Sequence, residues 1–263
     1  MREIANFFWH GELTQYEIAC YQSAIDNDFD VNVWSFQKLE NLPAGAVLKD
    51  ASEILPEENL HLYKQPHPFD GTDQRNQDYS TIAAFSDVFR IKLLKERGGW
   101  WFDSDQFTLK NQQEFKNLRQ NKKFCLCFDY INSNYMSIGV IYFDQEVANM
   151  CYDRLNKLLI ENNNTFNEWA QLGPAMVTNI IENNYKLNEV FPYTTFNPIN
   201  WKEMNLLLDP EMCSYAIDKC KSSYSISLWN SQLSQKYNLK HTLPNVNSFL
   251  YKLLNRNINY ANT

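Results

Sequence analysis

The sequence has few glycines and histidines and no long apolar run. Seven glycines and four histidines occur among its 263 residues, and no stretch approaches the roughly 20 apolar residues of a membrane-spanning helix. The N-terminal segment MREIANFFWHGEL also lacks an apolar stretch long enough for a signal peptide. We therefore expect a cytoplasmic protein.

Zinc-type cysteine patterns and an excess of basic residues are also missing. Because none of the six cysteines forms a C-x-x-C pair, we expect reduced and mostly buried thiols. These residues are Cys20, Cys125, Cys127, Cys151, Cys213 and Cys220. The net charge of −7 at pH 7 argues against a general nucleic-acid-binding protein, which needs a basic face to neutralise phosphates.

The residues that are present suit a large globular core. Apolar residues make up 44% and aromatic residues 15% of the chain, and its 263 residues are enough for one large domain or two modest ones. The start predicts a strand at Ile4–Trp9, a helix at Thr14–Asn27 and a strand at VNVWSF. Thr14 is a suitable N-cap, and Glu17 completes a capping box. This order indicates a parallel α/β unit.

Helical spacing of apolar residues predicts a second helix, which Ser80 caps and Gly98 terminates. Its apolar positions are Ile82, Phe85, Phe89 and Leu93. Gly98 suits a left-handed C-terminal turn, and the following WWFD segment is predicted to begin a strand. Other predictions are a loop at Lys64–Asn76, strands at KFCLCFDY and MSIGVIYF, helices at Gln145–Glu161 and Pro174–Asn184, and a basic tail from Lys236 to Tyr260.

Two carboxylates, separated by one residue, lie at or just beyond the end of the strand that WWFD begins. Asp103 and Asp105 project to the same side of an extended chain, because side chains in a strand alternate. Such a pair offers hard oxygen ligands to magnesium or manganese, at the strand end where α/β folds bind ligands. The alternative is an ordinary polar turn, which is the better interpretation of an isolated D-x-D.

An acid and an arginine share one face of the preceding helix. Asp87 and Arg90 are spaced i, i+3, so they form either a surface ion pair worth under about 1 kcal/mol or a polar clamp for a ligand. Arginine suits phosphate or hydroxyl oxygens, and aspartate accepts hydrogen bonds from sugar hydroxyls. The helix runs through two glycines straight into the acid-bearing strand, so both pairs can converge on one cleft.

The segment FSDVFRIKLLKERGGWWFDSD resembles the signature of glycosyltransferase family 32 and its relatives. These are D-x-D sugar-transferring enzymes related to yeast mannosyltransferases, bacterial polysaccharide transferases and the glucosyltransferase domains of clostridial toxins. The segment matches the family pattern at Ser86, Asp87, Arg90, Gly98, Gly99, Asp103 and Asp105.

Three other segments resemble elements of the same family. FFWHGEL resembles an N-terminal strand that ends in Trp-x-Gly, here Trp9 and Gly11. LGPAMVT resembles a Gly-Pro element, and SISLWNSQL resembles a terminal motif often written His-x-Trp-Asn. Two departures concern the metal shell: Ser227 stands where many members have histidine, and Tyr224 stands where the toxins carry an acid.

The resemblance implies a role for each matched position. Asp105 would bind a manganese or magnesium ion directly, Asp103 would contact the ribose or sugar and bind metal indirectly, and Asp87 with Arg90 would hold the donor sugar. Ser227 would complete the metal shell. The nucleotide-sugar site would also include Phe8, Trp9, Gly11, Ile82, Ser86, Trp101, Ser104, Asn134 and Trp229, with Trp9 and Ile82 flanking the base.

The implied fold is a single α/β, GT-A-like domain with a Rossmann-like mixed sheet flanked by helices, plus helical additions. It would span residues 1–263, with a nucleotide-sugar-binding half at 1–110 and an acceptor half at 111–263. The resemblance also implies a metal-dependent, retaining glycosyltransferase that moves a hexose or N-acetylhexosamine, with a UDP-linked donor favoured. The acceptor would be a glycan or lipid-linked glycan of bacterial surface polysaccharide or lipopolysaccharide synthesis, met by peripheral contact at the inner face of a membrane.

Three alternatives stay open at this point. One is a glycosyltransferase that modifies a protein, and another is a catalytically weak nucleotide-sugar-binding module. The third is a metal-dependent hydrolase, which usually needs more histidine or acid ligands than this chain clusters anywhere.

Overall fold

The chain folds around a mixed six-stranded sheet. The computed structural model describes residues 2–65, 82–131, 133–168 and 170–255. The strands are β1 (Ile4–Phe8), β2 (Asp30–Ser35), β3 (Ala46–Asp50), β4 (Trp100–Phe102), β5 (Gln106–Thr108), β6 (Phe124–Phe128), β7 (Met136–Phe143) and β8 (Ser225–Ser227). The large sheet has the order β3-β2-β1-β4-β7-β6, and β5 pairs with β8 in a small second sheet.

One strand of the large sheet, β7, runs against all the others. Strands β1, β2, β3 and β4 are mutually parallel, whereas β7 is antiparallel to both β4 and β6. The described helices are α1 (Gln15–Asp26), α2 (Ile82–Arg97), α3 (Gln112–Arg119), α4 (Gln145–Glu161), α5 (Pro174–Asn184), α6 (Asn205–Leu208), α7 (Cys213–Cys220), α8 (Asn230–Gln235) and α9 (Phe249–Leu254). The predicted α/β class with a mixed sheet is confirmed.

The first β-α-β unit forms as its sequence predicts. The Thr14 side chain accepts a hydrogen bond at the start of α1, and the Glu17 side chain accepts one from the Thr14 backbone, so the capping box is present. Strands β1 and β2 are parallel, with Ile4 opposite Asp30. Strand β1 ends at Phe8, one residue before the predicted end, so Trp9 begins the loop that leaves the sheet.

Two glycines turn α2 into β4. Gly98 has a φ of +65°, and its N–H donates to the Leu94 carbonyl at 3.0 Å, so it ends the helix in the left-handed turn predicted for it. Gly99 has a φ of +85°, and a Cβ there would lie 3.2 Å from the backbone oxygen of Ile4. The turn therefore needs glycine at the first position for conformation and at the second for space as well.

Three apolar clusters hold the layers together. One packs α2, α4 and α5 on one face of the sheet, and another packs α1 and α3 on the opposite face. Adjacent residues of β4 serve both faces, since Trp101 lies in the first cluster and Trp100 in the second. The third cluster joins α6 to α9 with β5 and β8, and it places the C-terminal layer beside the end of β4.

Several smaller predictions can be compared with the described residues. All six cysteines are buried and free, and the predicted bounds of α4 and α5 are confirmed. None of the described helices is long and apolar enough to cross a membrane. The predicted Ser80 cap, residues 66–76 of the predicted loop and residues 256–260 of the basic tail lie outside the described residues.

Candidate active site

A buried arginine on α2 joins the two predicted acid pairs. The Arg90 guanidinium lies 3.0 Å from an Asp87 carboxylate oxygen and 2.8 Å from Asp103 Oδ1. It also donates to the Ile138 carbonyl at 2.7 Å, to the Ser86 carbonyl at 3.2 Å and to the Ser86 hydroxyl at 3.2 Å. These distances bring Asp87, Arg90 and Asp103 together, as the sequence predicts.

Arg90 is buried among acceptor groups. It donates three hydrogen bonds, to the Ile138 carbonyl and to the carbonyl and hydroxyl of Ser86, and its terminal nitrogens form ion pairs with Asp87 and Asp103. Its side chain is only 6% exposed. A buried cation that three hydrogen bonds hold in place fixes its neighbours, so Arg90 orients the two carboxylates.

Asp103 begins a tight turn directly after β4. Its backbone N–H donates to the Gly139 carbonyl at 2.7 Å, and its Oδ1 accepts from the Trp101 indole at 2.9 Å. Burial raises the pKa of the Asp103 carboxyl, against the lowering effect of Arg90. A Cβ on Gly139 would lie 3.2 Å from Asp103 Oδ2, so a glycine in β7 leaves room for the second oxygen.

Trp101 supports this turn from inside the protein. Its ring is buried, and the Arg90 guanidinium lies 5.0 Å from the ring centroid. The resemblance places an aromatic near the donor at this position. Because Trp101 contacts Arg90 and Asp103, it acts on the site through these two neighbours.

Asp105 is the least compensated carboxylate of the site. Its Oδ2 accepts from the backbone N–H of Asn230 at 3.1 Å, and no ion pair with Asp105 is formed among the described residues. Burial, and next the nearby charge of Asp103, raise the pKa of the Asp105 carboxyl. A half-buried carboxylate with a raised pKa and no cationic partner is an environment that favours binding of a cation.

The C-terminal layer supplies the segment that covers Asp105. Ser227 is opposite Gln106 in the β5–β8 pair, and the Leu228 N–H donates to the Asp105 carbonyl at 2.8 Å. Trp229 then adopts a left-handed conformation with φ 56° and ψ 55°. This conformation is rare for a bulky residue, and here it turns the chain so that the Asn230 N–H reaches Asp105.

The predicted metal residue Ser227 is buried, opposite the residue that follows Asp105. Its hydroxyl accepts from the Trp229 N–H at 3.2 Å. Tyr224, at the position where the toxins carry an acid, packs its ring on Phe115 with centroids 5.2 Å apart. Tyr224 therefore lies in the aromatic core, and Ser227 is the residue of β8 that stands next to Gln106 and the Asp103–Asp105 turn.

Glu17 links the start of α1 to this segment, and its role was not predicted beyond the capping box. The residue is 0% exposed. One carboxylate oxygen accepts from the Thr14 N–H at 2.7 Å and the Thr14 hydroxyl at 2.6 Å, and the other accepts from the Asn230 side chain. The sequence carries no signal for the second contact, because Glu17 and Asn230 are 213 positions apart.

Gln65 and Gly173 surround Asp87 and were also not assigned to the site. Burial raises the pKa of Asp87 to about 6, although Arg90 and a hydrogen bond from Gln65 lower it. Gln65 is buried, and its Oε1 has no partner among the described residues. A Cβ on Gly173 would lie 2.7 Å from an Asp87 carboxylate oxygen, so only glycine fits at this N-cap of α5. This close approach explains why the Gly-Pro element has glycine at its first position.

The remaining predicted residues lie around the ends of β1 and α2. Ser104 donates to the Phe8 carbonyl at 2.8 Å and accepts from the Tyr21 hydroxyl at 3.0 Å, so Phe8 and Ser104 are joined through buried contacts. Trp9 is half-buried, and its indole donates to the Glu12 carbonyl at 3.1 Å.

Three more predicted residues belong to exposed or turn positions. Gly11 has a φ of +104°, and a Cβ added there would meet no described atom within 4 Å, so this position needs glycine for conformation alone. Ile82 begins α2 and is exposed, and Asn134 is exposed in the loop between β6 and β7. The described residues show no hydrogen bond from Ile82 or Asn134 to the carboxylates.

The donor set fits a hard divalent cation bound in part by a ligand. Magnesium and manganese take carboxylate, hydroxyl, water and phosphate oxygens, and magnesium usually keeps several waters. Within the described ranges, no three His, Cys, Asp or Glu side chains form a metal-binding group. Asp105, Asp103 and the Ser227 hydroxyl would therefore supply part of a shell that water and a diphosphate complete.

Solved structures of glycosyltransferases share the fold. The apo structure of the bifunctional glycosyltransferase WbbM matches with a TM-score of 0.51 at 12% identity, over 100% of this chain and 50% of that one. The apo form of the glycosyltransferase GlyE from Streptococcus pneumoniae TIGR4 matches with a TM-score of 0.50 at 8% identity, over 99% of this chain and 61% of that one. The predicted GT-A-like fold is thus confirmed, and the chain spans between half and two thirds of these two proteins.

Family membership rests on the sequence. No curated protein matches the chain significantly. The family model described as capsular polysaccharide synthesis protein matches residues 49–253, a range that includes α2, the Asp103–Asp105 turn and the segment at Ser227–Asn230. Because this match covers most of the 263 residues, the chain belongs to the capsular polysaccharide synthesis protein family.

Proposed function

We propose that this protein transfers a sugar from a nucleotide-sugar donor, with UDP favoured, to a glycan acceptor in capsular polysaccharide synthesis. The observation that carries the proposal is Asp105, a carboxylate without a cationic partner among the described residues. It stands beside Asp103, which Arg90 holds in place. A GT-A-like fold and a polysaccharide-synthesis family agree with this chemistry.

The carboxylates of the turn would hold the diphosphate end of the donor through a divalent cation. In the proposed site Asp105 binds manganese or magnesium directly, with Asp103 and Ser227 at the rim of its shell. When bound, the cation supplies positive charge that stabilises the departing nucleoside diphosphate. Arg90 keeps Asp103 in the required orientation through the 2.8 Å contact.

Asp87 and Gln65 would bind the donor sugar. Asp87 accepts hydrogen bonds from hydroxyls, and Gln65 Oε1, which has no partner among the described residues, adds one acceptor close by. Trp9 would stack on the base, because its half-buried ring stands at the carboxyl end of β1, where ligands of α/β sheets bind. Retention of the anomeric configuration and a relationship to glycosyltransferase family 32 also belong to the proposal and rest on the sequence resemblance.

The partition of the chain and its surroundings are further proposals. Residues 1–110 would bind the donor and residues 111–263 the acceptor, with Ser227 and Asn230 of the second part closing on Asp105. A cytoplasmic location, peripheral contact with a membrane and a lipid-linked or lipopolysaccharide acceptor stay predictions from the sequence.

Nucleotide release from a panel of UDP- and GDP-sugars with manganese tests the proposed function. We expect slow hydrolysis of one donor by the purified protein, faster release with a glycan acceptor, and loss of release in Asp105→Asn. A matched control is Asp153→Asn, which changes an exposed aspartate of α4 and should release nucleotide at the wild-type rate.

Each alternative function predicts a different result in this assay. Binding of a donor without turnover would favour a nucleotide-sugar-binding module. Hydrolysis that no glycan or protein accelerates would favour a hydrolase, and transfer to protein alone would favour a protein-modifying enzyme. Release that Asp105→Asn leaves unchanged would contradict the site assigned here.

A further inference from the structure

Two aromatic rings lie against one lysine, and an acidic residue precedes one of these rings in the chain. Lys202 Nζ lies 5.5 Å from the ring centroid of Tyr130 and 5.1 Å from that of Trp201. Asp129 precedes Tyr130 at the end of β6. We call Asp129, Tyr130, Trp201 and Lys202 the aromatic platform.

Asp129 has an unusual environment for a surface loop. Its N–H donates to the Tyr135 carbonyl at 3.1 Å, which closes the loop between β6 and β7. Its carboxylate is half-buried and has no ion pair or side-chain hydrogen bond within the part of the chain that the structure describes. Burial raises the pKa of Asp129 to about 6. A partly desolvated acceptor without a donor is a feature typical of a ligand site.

The loop also exposes apolar side chains next to this carboxylate. Ile131 is 63% exposed and Tyr135 is 40% exposed, while Tyr130 is half-buried. Aromatic and apolar groups exposed together mark interaction surfaces more often than scattered single residues do. The mixture of rings, a carboxylate and an ammonium group distinguishes this surface from a simple apolar patch.

Two chain segments form the aromatic platform, one with Asp129 and Tyr130 and the other with Trp201 and Lys202, and both are connected to the candidate active site. The Asp103 N–H donates to the Gly139 carbonyl of β7, and Tyr135 precedes Gly139 by four residues, or about 13 Å of extended chain. Asn197 donates to Ser137 at 2.9 Å and accepts from Gln106 at 3.1 Å. These contacts fix the segment that leads to Trp201 against the same edge of the sheet as the carboxylates.

We propose that the aromatic platform binds sugar residues of the acceptor glycan, at a distance from the residue that receives the transferred sugar. The inference rests on the proposed function, because it names the surface that presents the acceptor to the donor site. A pyranose ring has apolar C–H faces that pack on Tyr130 and Trp201. Its hydroxyls donate to Asp129 and accept from Lys202.

The charges favour a saccharide over a lipid surface. A membrane contact would bury the Asp129 carboxylate further without supplying a donor, at a large desolvation cost. Anionic membranes are bound by clusters of basic residues, whereas the aromatic platform has Lys202 as its one cation. A hydroxylated ligand supplies donors for the Asp129 carboxylate and acceptors for the Lys202 ammonium group.

Glycan binding separates the aromatic platform from the donor site. The probe is an array of immobilised oligosaccharides from bacterial surface polysaccharides, tested with wild-type protein, Tyr130→Ala and Asp129→Asn. We expect both variants to bind the recognised oligosaccharide about tenfold more weakly. Tyr215→Ala is the matched control, since it removes a ring that is 58% exposed on α7 and should keep wild-type affinity.

Titration with UDP and manganese distinguishes a failure of the aromatic platform from a failure of the proposed function. If wild-type protein binds glycan but not UDP, the proposed function fails and the aromatic platform stands. If UDP binds and either no oligosaccharide is recognised or the variants bind it as tightly as wild type, the aromatic platform is overturned. We expect the UDP affinity of Tyr130→Ala to stay within about twofold of wild type.

Two further arms identify the source of the ligand. The recognised oligosaccharide is offered free and linked to a polyprenyl diphosphate in detergent micelles, and we expect the same loss in Tyr130→Ala with both forms. Vesicles of phosphatidylglycerol and phosphatidylethanolamine test the membrane alternative. Vesicle binding that Tyr130→Ala abolishes, in a protein that recognises no oligosaccharide, would overturn the proposal.

Discussion

Arg90 shows how one side chain organises the site at the scale of a residue. It donates hydrogen bonds to two carbonyl groups and a hydroxyl and forms ion pairs with two carboxylates. The guanidinium is thus held from two different elements, by Ile138 of β7 and by Ser86 of α2. Because the geometry needs a planar fork, the chemistry of arginine and not its charge alone determines where Asp87 and Asp103 point.

Replacement of Arg90 by lysine should lower the rate of transfer about 10²-fold. Lysine keeps the positive charge but places three donors on a single nitrogen, so it cannot reproduce the contacts that the planar guanidinium makes with two carboxylates, the Ile138 carbonyl and Ser86, and small displacements at a site are costly. Steady-state kinetics measure the loss in kcat/KM. Arg154→Lys is the control, because Arg154 pairs with Glu161 at the surface, and equal rates for the two variants would contradict the positioning role.

Asp129 should make the stability of the protein depend on pH. Its pKa is about 6 in the folded state and about 3.9 in an unfolded chain, so between these values the folded state binds more protons. The free energy of unfolding therefore falls as pH rises from about 4 to about 6. Asp129→Asn removes this contribution.

Urea unfolding at a series of pH values measures the effect. We expect Asp129→Asn to gain stability relative to wild type as pH increases through this window, and the difference to become constant above it. A difference that is independent of pH, or that grows toward acid, would show that the Asp129 carboxylate is not desolvated in the folded protein.

At the scale of elements, local patterns were predictable and long-range contacts were not. The helix α2 is defined by its apolar spacing, and its end by Lys95 and Arg97 in the last turn and by Gly98. The capping box defines the start of α1. The contact between Glu17 and Asn230 carries no local signature, because it depends on how the C-terminal layer packs. Gln65 could not be assigned to the site for the same reason, because its hydrogen bond with Asp87 forms only in the folded chain.

Gly173→Ala should disturb the donor-sugar side of the site. Its Cβ would lie 2.7 Å from an Asp87 oxygen and 2.7 Å from Ile138, so Asp87 or the start of α5 must move. We expect a loss of about 1–3 kcal/mol in the free energy of unfolding and a fall in kcat/KM, measured by urea unfolding and kinetics. Asn179→Ala, at an exposed position of α5, should change neither by much, and equal behaviour of the two variants would contradict the packing described for Gly173.

Glu17→Gln should weaken nucleotide and metal binding through Asn230. The glutamine oxygen still accepts from Thr14, but its NH2 group then faces the NH2 group of Asn230, so the Asn230 amide must turn over or lose this contact, and the segment that covers Asp105 loosens. Calorimetric titration of UDP with manganese measures the change.

A matched control exists in the second capping box of the chain. Glu114 caps α3 together with Asn111, so Glu114→Gln loses the same kind of cap contact away from Asp105. We expect Glu17→Gln to bind UDP several-fold more weakly than Glu114→Gln. Equal UDP affinity in both variants would contradict a link from Glu17 through Asn230 to the segment that covers Asp105.

At the scale of the whole molecule, the site forms where distant parts of the chain meet. The carboxyl end of the first strand, the Asp103–Asp105 turn and the C-terminal layer meet at one edge of the sheet, and Asp105 contacts a residue 125 positions later. The α/β class and the proximity of Asp87, Arg90 and Asp103 could be predicted from sequence, because they depend on local patterns and one dense motif. The aromatic platform could not, since Tyr130 and Lys202 carry no motif and meet only through tertiary packing.

The central claim is that the edge marked by Asp103 and Asp105 binds a nucleotide diphosphate through a divalent cation. Calorimetric titration of UDP into the protein, with and without manganese, tests this claim most directly. We predict binding that requires manganese and that weakens by about 10²-fold in Asp105→Asn, with Asp153→Asn equal to wild type. Equal UDP affinity in wild type and Asp105→Asn, or the same affinity with and without manganese, would contradict it.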